Sequence, residues 1–311
     1  MLNKIVNKIK LRYYDRDSWN YFLILLKLKY KEHSAENKSF LFLKVLNLKI
    51  PRNRFIFLLK AYDHALKLVE CTDAVFTIEE NRVYISVAEL KFEVQTEEEL
   101  FILKEIFIDG VYNFHLVEAI DNYILIDIGM NVSYASCYFV KVKKIPHIIS
   151  FEPFIPTYTQ AKMNIHLNNL ENRIDARNYG LGKSDNVLSV EYTPEFKGQM
   201  NMHGTEYIRS RIRESSREDI TIKKAFEPLS IIEEAYPSKR FILKIDCEGA
   251  EYDLIEEIPH EMLRRCDVIM MEWHEQGSLL IESWLKRHRF ILMSFEPLSK
   301  RAGMIYAIKS K

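Results

Sequence analysis

The sequence predicts an α/β protein built on a mostly parallel sheet, preceded by a helical region and a β-hairpin. Three observations carry this. From Tyr123 onward, short apolar runs alternate with stretches of helical length, the order that makes right-handed crossovers in a parallel sheet. The first runs are continuously apolar, as in strands buried on both faces. Acidic residues stand at the ends of these runs, where an open α/β sheet binds its ligands.

The elements follow in order. Strands are expected at 123–128, 147–151, 173–179, 241–245 and 268–271. Helices are expected at 157–167 and 279–287, and 290–293 with 304–308 form a closing pair of strands. Between the third and fourth strands, 183–240 is an insertion, with a strand at 187–192 and a polar, mobile lid loop at 197–219. Ahead of the sheet, Leu11, Tyr14, Trp19, Phe22 and Leu26 recur at helical spacing, and 40–48 repeats the pattern. Pro51 interrupts it, and 55–68 is a third helix. The runs 74–78 and 83–87 are β-branched and aromatic around Glu79-Glu-Asn-Arg82, a hairpin, and 90–94 adds a strand. Thr96 then caps a helix running to about 108, with Glu99 at the capping-box position. The expected divisions are a basic helical region at 1–72, a hairpin and lead-in helix at 73–118, and the sheet domain at 119–311.

Composition narrows the function. Of 311 residues, 48% are apolar and 28% charged, as in a globular protein. Forty-four basic residues balance 44 acidic ones, giving no reason to expect nucleic acid as a partner. The balance is uneven along the chain: residues 1–70 hold 15 Lys/Arg against 6 Asp/Glu. This suggests peripheral contact with an anionic membrane or a protein partner. Cys71, Cys137, Cys247 and Cys266 form neither a zinc nor a disulfide framework. No run is long enough to span a bilayer and no leader is recognised, so a cytoplasmic protein is expected.

Four strand tips carry the chemistry. Ile126-Asp-Ile-Gly-Met-Asn-Val-Ser-Tyr134 ends a strand in Asp127 and follows it with Gly129, which permits close backbone approach. It is neither a P-loop nor the glycine fingerprint of dinucleotide binders. Ser150-Phe-Glu-Pro153 puts Glu152 25 residues after Asp127, where an acid accepts hydrogen bonds from ribose hydroxyls. Lys244-Ile-Asp-Cys-Glu-Gly-Ala-Glu251 gathers Asp246, Glu248 and Glu251, with Lys244 as counter-charge. These acids suit a general base, a metal or sugar hydroxyls, although the spacing demands no metal. Met271-Glu-Trp-His274 places His274 at the fifth tip, where an unperturbed imidazole accepts a proton near neutral pH.

Taken together these motifs resemble the FkbM-type family of S-adenosylmethionine-dependent methyltransferases. That family's pattern is D-x-G-A-N-x-G-x-Y/F, then F-E-P, K-I-D-x-E-G-x-E and often E-x-H. This chain has Asp127 to Tyr134, Phe151-Glu-Pro153, the whole of Lys244 to Glu251, and Glu272-Trp-His274. The resemblance covers about residues 95–308. It implies a Rossmann-like seven-stranded methyltransferase sheet with a closing antiparallel strand. It also implies S-adenosylmethionine as cofactor: Asp127, Gly129, Asn131 and Tyr134 around its methionine part, Glu152 on its ribose, Asn178 at the third strand and Asp246 near the methyl group. Two positions depart from the pattern. Met130 replaces a small Ala, and Ser133 replaces a Gly, where a Cβ crowds a ligand or resists a positive φ.

The activity so implied is O-methylation of a hydroxyl on a sugar, a glycan or a related natural product. Its demands are alignment of the acceptor and removal of the hydroxyl proton by His274 or Asp246. A metal held by Asp246, Glu248 and Glu272 is an alternative way to acidify the hydroxyl. The rival reading is a degenerate methyltransferase fold serving as a membrane- or partner-binding module in glycan assembly.

Overall fold

The structure is a computed structural model. It describes residues 40–43, 45–51, 54–114, 116, 118–194, 197, 216–297 and 302–310. The helical pattern expected at Leu11 to Leu26 lies outside the described residues, as does most of the loop expected at 197–219. The chain divides into two compact units, Met1–Gly110 and Val111–Lys311.

Among the described residues, the first unit starts with two strands, β1 (Phe40–Leu43) and β2 (Leu48–Pro51), paired antiparallel. The helix expected at 40–48 is therefore corrected to a hairpin. Leu46, Leu48 and Ile50 are buried while Asn47 and Lys49 are exposed, a period of two that places alternate residues on one face. Helices α1 (Ile56–Lys60) and α2 (Tyr62–Cys71) follow, broken at Ala61. Next come β3 (Val75–Glu79), β4 (Arg82–Val87) and β5 (Leu90–Val94), an antiparallel sheet in that order. Glu80 and Asn81 both have positive φ in the β3–β4 turn, as the tightest hairpins require. Helix α3 (Glu97–Lys104) starts as the sequence predicts. Thr96 Oγ1 accepts from Glu99 N at 3.2 Å, and Glu99 Oε2 accepts from Gln95 N at 2.7 Å.

The second unit is the mixed α/β sheet. Its parallel strands are β6 (Tyr123–Ile128), β7 (His147–Phe151), β8 (Ile174–Arg177), β12 (Arg240–Ile245) and β13 (Cys266–His274). The closing hairpin is β14 (Phe290–Pro297) and β15 (Ala302–Lys309). Among the described residues these seven strands lie in the order β14-β15-β13-β12-β6-β7-β8, with β15 antiparallel to both neighbours. Helices α4 (Tyr134–Lys141) and α5 (Ile155–Leu167) form the crossovers between β6 and β8. Every residue of β6 is buried, Asp127 among its apolar neighbours included. Ile126, Leu243 and Ile269 from three neighbouring strands share one core with Trp284 of α9 (Leu279–Arg287).

The insertion is ordered where it is described. Strands β9 (Gly180–Gly182), β10 (Asn186–Tyr192) and β11 (Ser216–Lys224) form a second sheet in the order β10-β11-β9. Residues 216–219, expected in a mobile loop, instead pair with β10. Ile220 and Ile222 alternate inward from the same strand and fix it to the core. Helix α6 (Phe226–Ala235) leads back to β12, and α8 (His260–Arg265) leads into β13.

The strand order reverses between β6 and β12, the switch point where the carboxyl ends of neighbouring strands open a crevice. Their loops touch there. Asp246 N donates to Ile128 O at 2.9 Å, and a Cβ on Gly129, at φ +84, would lie 1.6 Å from the Asp246 carbonyl oxygen. Gly129→Ala must therefore push the loops apart. It is expected to lower unfolding free energy by about 3 kcal/mol or more, read as a fall in the thermal midpoint.

Candidate active site

The crevice holds an open cleft. One wall comes from the β6 loop through Gly129 and Asn131 and from Glu152 beyond β7. A second is Asp246, Cys247 and Glu248 beyond β12. The third is apolar, with Phe154, Leu181, Ile220 and Ile222. Lys197, buried and bonded to Gln160 of α5, also lines it.

Lys244 is the buried centre of the charged groups. Its Nζ donates to Gly129 O at 2.5 Å and lies 3.1 Å from Asp127 Oδ1 and 3.6 Å from Asp246 Oδ2. Burial opposes its charge, but Asp127, Tyr112 and Asp246 outweigh that and hold its pKa well above the usual lysine range. Asp127 also accepts from Ser136 Oγ at 2.5 Å. It is fully buried behind the cleft wall, so its role is to hold Lys244 and α4.

Glu152 accepts from Asn131 N and Phe154 N, each at 3.0 Å. Burial nevertheless pushes its pKa up to about 7, against the pull of those two N–H groups and Lys244. Asn178 supports this acid from behind, donating to the carbonyls of Glu152 and Pro153 at 2.9 and 3.2 Å.

The acids after β12 turn tightly, with Glu248 at φ +52 and Gly249 at φ +99. The one-turn helix α7 (Glu251–Leu254) follows. Burial raises the pKa of Asp246, with Lys244 opposing and Glu272 reinforcing the rise. Cys247 is pushed far up by burial and by the Glu251 charge, which removes it as a nucleophile. His274 is buried at the β13 tip. Its Nδ1 lies 3.1 Å from Glu251 Oε1, and its Nε2 lies 3.5 Å from Glu272 Oε1 and 3.6 Å from Glu248 Oε2. Burial opposes the imidazolium, but hydrogen bonds to Glu251 and Glu272 and the charges of Glu248 and Asp246 raise its pKa to about 11. Three carboxylates thus surround the ring and favour its charged form, unlike the unperturbed imidazole assumed from sequence. Ligand atoms of Asp246, Glu248 and His274 lie within 4.8 Å of one another. A divalent cation there would compete with the ring proton.

Of the residues singled out by sequence, Gly129, Asn131, Glu152, Asp246 and Glu248 line the cleft, and His274 and Glu272 are not among its lining residues. Lys244, Asp127, Asn178 and the buried Tyr134 stand behind it. Neither Met130 nor Ser133 lines it, and both are buried. Sequence reasoning missed Lys197 and Tyr112. Burial raises the Tyr112 phenol far above its usual range; Lys244 opposes this, and Asp246, Asp127 and Glu272 add to it. Neither residue sits in a recognisable strand-tip motif.

Comparison with known proteins places these features. The family described as "Methyltransferase FkbM domain" matches residues 127–292, more than half of the chain. "Methyltransferase sdnD" of Sordaria araneosa is 25% identical over 207 residues, covering 59% of this chain and 74% of that protein. "Methyltransferase 1" of Beauveria bassiana (strain ARSEF 2860) is 26% identical over 185 residues, covering 55% and 72%. Among solved structures, methyltransferase FkbM from Methylobacillus flagellatus KT aligns at 12% identity with a TM-score of 0.43. That match covers 81% of this chain, and the chain spans about half of that structure's length (54%).

Two predictions follow from the site. Ser133 holds φ +70 at the start of α4 without capping it through its side chain. Ser133→Gly relieves that strain and is expected to stabilise the fold by about 0.5–1 kcal/mol, measured by thermal or urea denaturation. Glu152 has its folded pKa raised above the unfolded value, so its ionisation destabilises the fold as pH rises from about 4.5 through 7. Glu152→Gln removes that titration. Its stability relative to wild type should rise across this window by as much as about 3 kcal/mol, and a difference independent of pH would refute the assignment.

Proposed function

The chain belongs to the FkbM methyltransferase family, and on that premise we propose that it methylates a hydroxyl oxygen of a sugar, glycan or related natural product with S-adenosylmethionine. The observation that carries this reading is the convergence of Glu152, Gly129, Asn131 and Asp246 on one cleft at the switch point. The cleft fits such a cofactor. Gly129 keeps the loop backbone bare, Glu152 offers carboxylate oxygens to ribose hydroxyls, and Phe154, Leu181, Ile220 and Ile222 offer an apolar wall to an adenine ring.

When bound, S-adenosylmethionine supplies an electrophilic methyl group on a sulfonium leaving group. The chain's own residues do the rest. Lys244 fixes Asp246 against the β6 loop. Asp246, half-buried and with its pKa raised, accepts the hydroxyl proton, since a raised carboxylate is the better base near neutral pH. His274, charged, donates from Nε2 on the acceptor side beside Glu248 and Glu272. Asp246, Glu248 and Glu272 repel a carboxylate or phosphate acceptor and favour a hydroxyl-bearing one. No helix among the described residues is long and apolar enough to cross a membrane. A glycan acceptor and peripheral contact through residues 1–70 are part of the same proposal.

The test is mass spectrometry of hydroxylated mono- and oligosaccharides incubated with the protein and S-adenosylmethionine. At least one should gain a methyl group on oxygen. Asp246→Asn is expected to lower kcat by about 100-fold or more, while KM for S-adenosylmethionine stays within about 3-fold. Full turnover in Asp246→Asn would remove Asp246 as the base. Methylation confined to amine acceptors would overturn the hydroxyl assignment.

A further inference from the structure

Glu251 is the last acid of the β12 motif, and it takes no part in the cleft wall. It is completely buried, yet both of its oxygens are engaged. Oε1 accepts from the backbone N–H of His274 at 2.6 Å and lies 3.1 Å from His274 Nδ1. Oε2 accepts from Gly249 N at 2.8 Å and faces Cys247 Sγ at 3.7 Å. The next residue repeats the clamp: the Tyr252 hydroxyl donates to the carbonyls of His274 and Gly277, at 2.7 and 2.9 Å. Helix α7 is thus a single turn whose first two side chains bind the β13 tip to the strained turn that presents Glu248.

A dry carboxylate is costly unless its partners satisfy it. What the charge secures is the imidazole, held through Nδ1 so that Nε2 is directed between Glu248 and Glu272. We propose that Glu251 is a positioning residue of methyl transfer, anchoring His274 through Nδ1 so that its Nε2–H is presented on the acceptor side of the cleft. The catalytic half of this rests on the methyl-transfer reading above; the anchoring half does not.

The groups facing the ring are Glu251 from α7, Asp246 and Glu248 from the turn after β12, and Glu272 from its own strand. Of these, Glu251 is the one within hydrogen-bond distance of Nδ1, at 3.1 Å. The logic matches any buried acid that fixes a catalytic histidine's tautomer and charge: the acid need not touch the substrate to matter.

The test is 15N NMR of the histidine rings in the full chain, with the His274 signal identified by its loss in His274→Ala. At a fixed pH of about 7 the wild-type ring should show an Nδ1–H signal that is hydrogen-bonded and protected from exchange. In Glu251→Gln the exchange protection of that Nδ1–H should fall by about 10-fold or more, and Glu251→Asp should restore part of it. With a methylatable acceptor, Glu251→Gln should lower kcat by about 30-fold or more while KM for S-adenosylmethionine stays within about 3-fold. The double variant with His274→Ala should be no slower than His274→Ala alone. An Nδ1–H signal as protected in Glu251→Gln as in the wild type overturns the proposal. So does a loss of thermal stability with kcat unchanged, since Glu251 would then be structural only. If Glu251→Gln fails to fold, Glu251→Asp decides by the same ring signal. An anchored ring in a wild-type protein that methylates nothing would strike the function reading and leave the anchoring in place.

Discussion

One buried ammonium organises the site. Lys244 Nζ reaches from β12 to the backbone carbonyl of Gly129 and to the carboxylates of Asp127 and Asp246. It therefore binds the loops of two neighbouring parallel strands at the point where the sheet reverses its order. The bare backbone of Gly129 allows that approach, because any side chain there would collide with the Asp246 carbonyl. Removing one partner from such a buried pair leaves an uncompensated charge and costs several kcal/mol. The cleft's geometry is thus tied to a local charge balance as well as to the apolar core beneath it.

The acids divide by what satisfies them. Asp127, Glu152 and Glu251 are all buried, and each accepts from an N–H, a hydroxyl or an ammonium. They hold backbone and side chains in place, and Glu152 also lines the cleft. Asp246 and Glu248 are less buried and form the wall of the cleft. Lys244 and His274 supply the positive charge between the two groups. This separation lets five carboxylates share a small volume, because buried carboxylates persist only where hydrogen bonds and counter-charges replace water.

Much of this was legible in the sequence because it depends on local pattern. Strand β7 falls where the run His147 to Phe151 places it, and α9 where the periodicity of 279–287 does. The strand tips were legible for the same reason: a hydrophobic run ending in an acid can be read without tertiary information. Charge state could not be read that way. His274 differs from an ordinary imidazole only because Glu248, Glu251 and Glu272 converge on it from three segments. Nor could the reading separate lining residues from supporting ones. Asp127 and Asn178 belong to the right motifs, yet they turn inward to hold what lines the cleft. The hairpin of β1 and β2 was read as a helix because short apolar stretches fit both periods, and burial alternation decides between them only once the chain is folded. Lys197 enters from an insertion whose path no local pattern reveals.

The most direct measurement of the central claim is a calorimetric titration of the full chain with S-adenosylhomocysteine, beside Glu152→Ala. The account predicts one site of micromolar affinity, about −8 kcal/mol, weakened by about 10-fold or more in Glu152→Ala with the fold intact. Absence of binding in the wild type, or equal affinity in both proteins, would contradict the assignment of the β6–β12 cleft as the cofactor site.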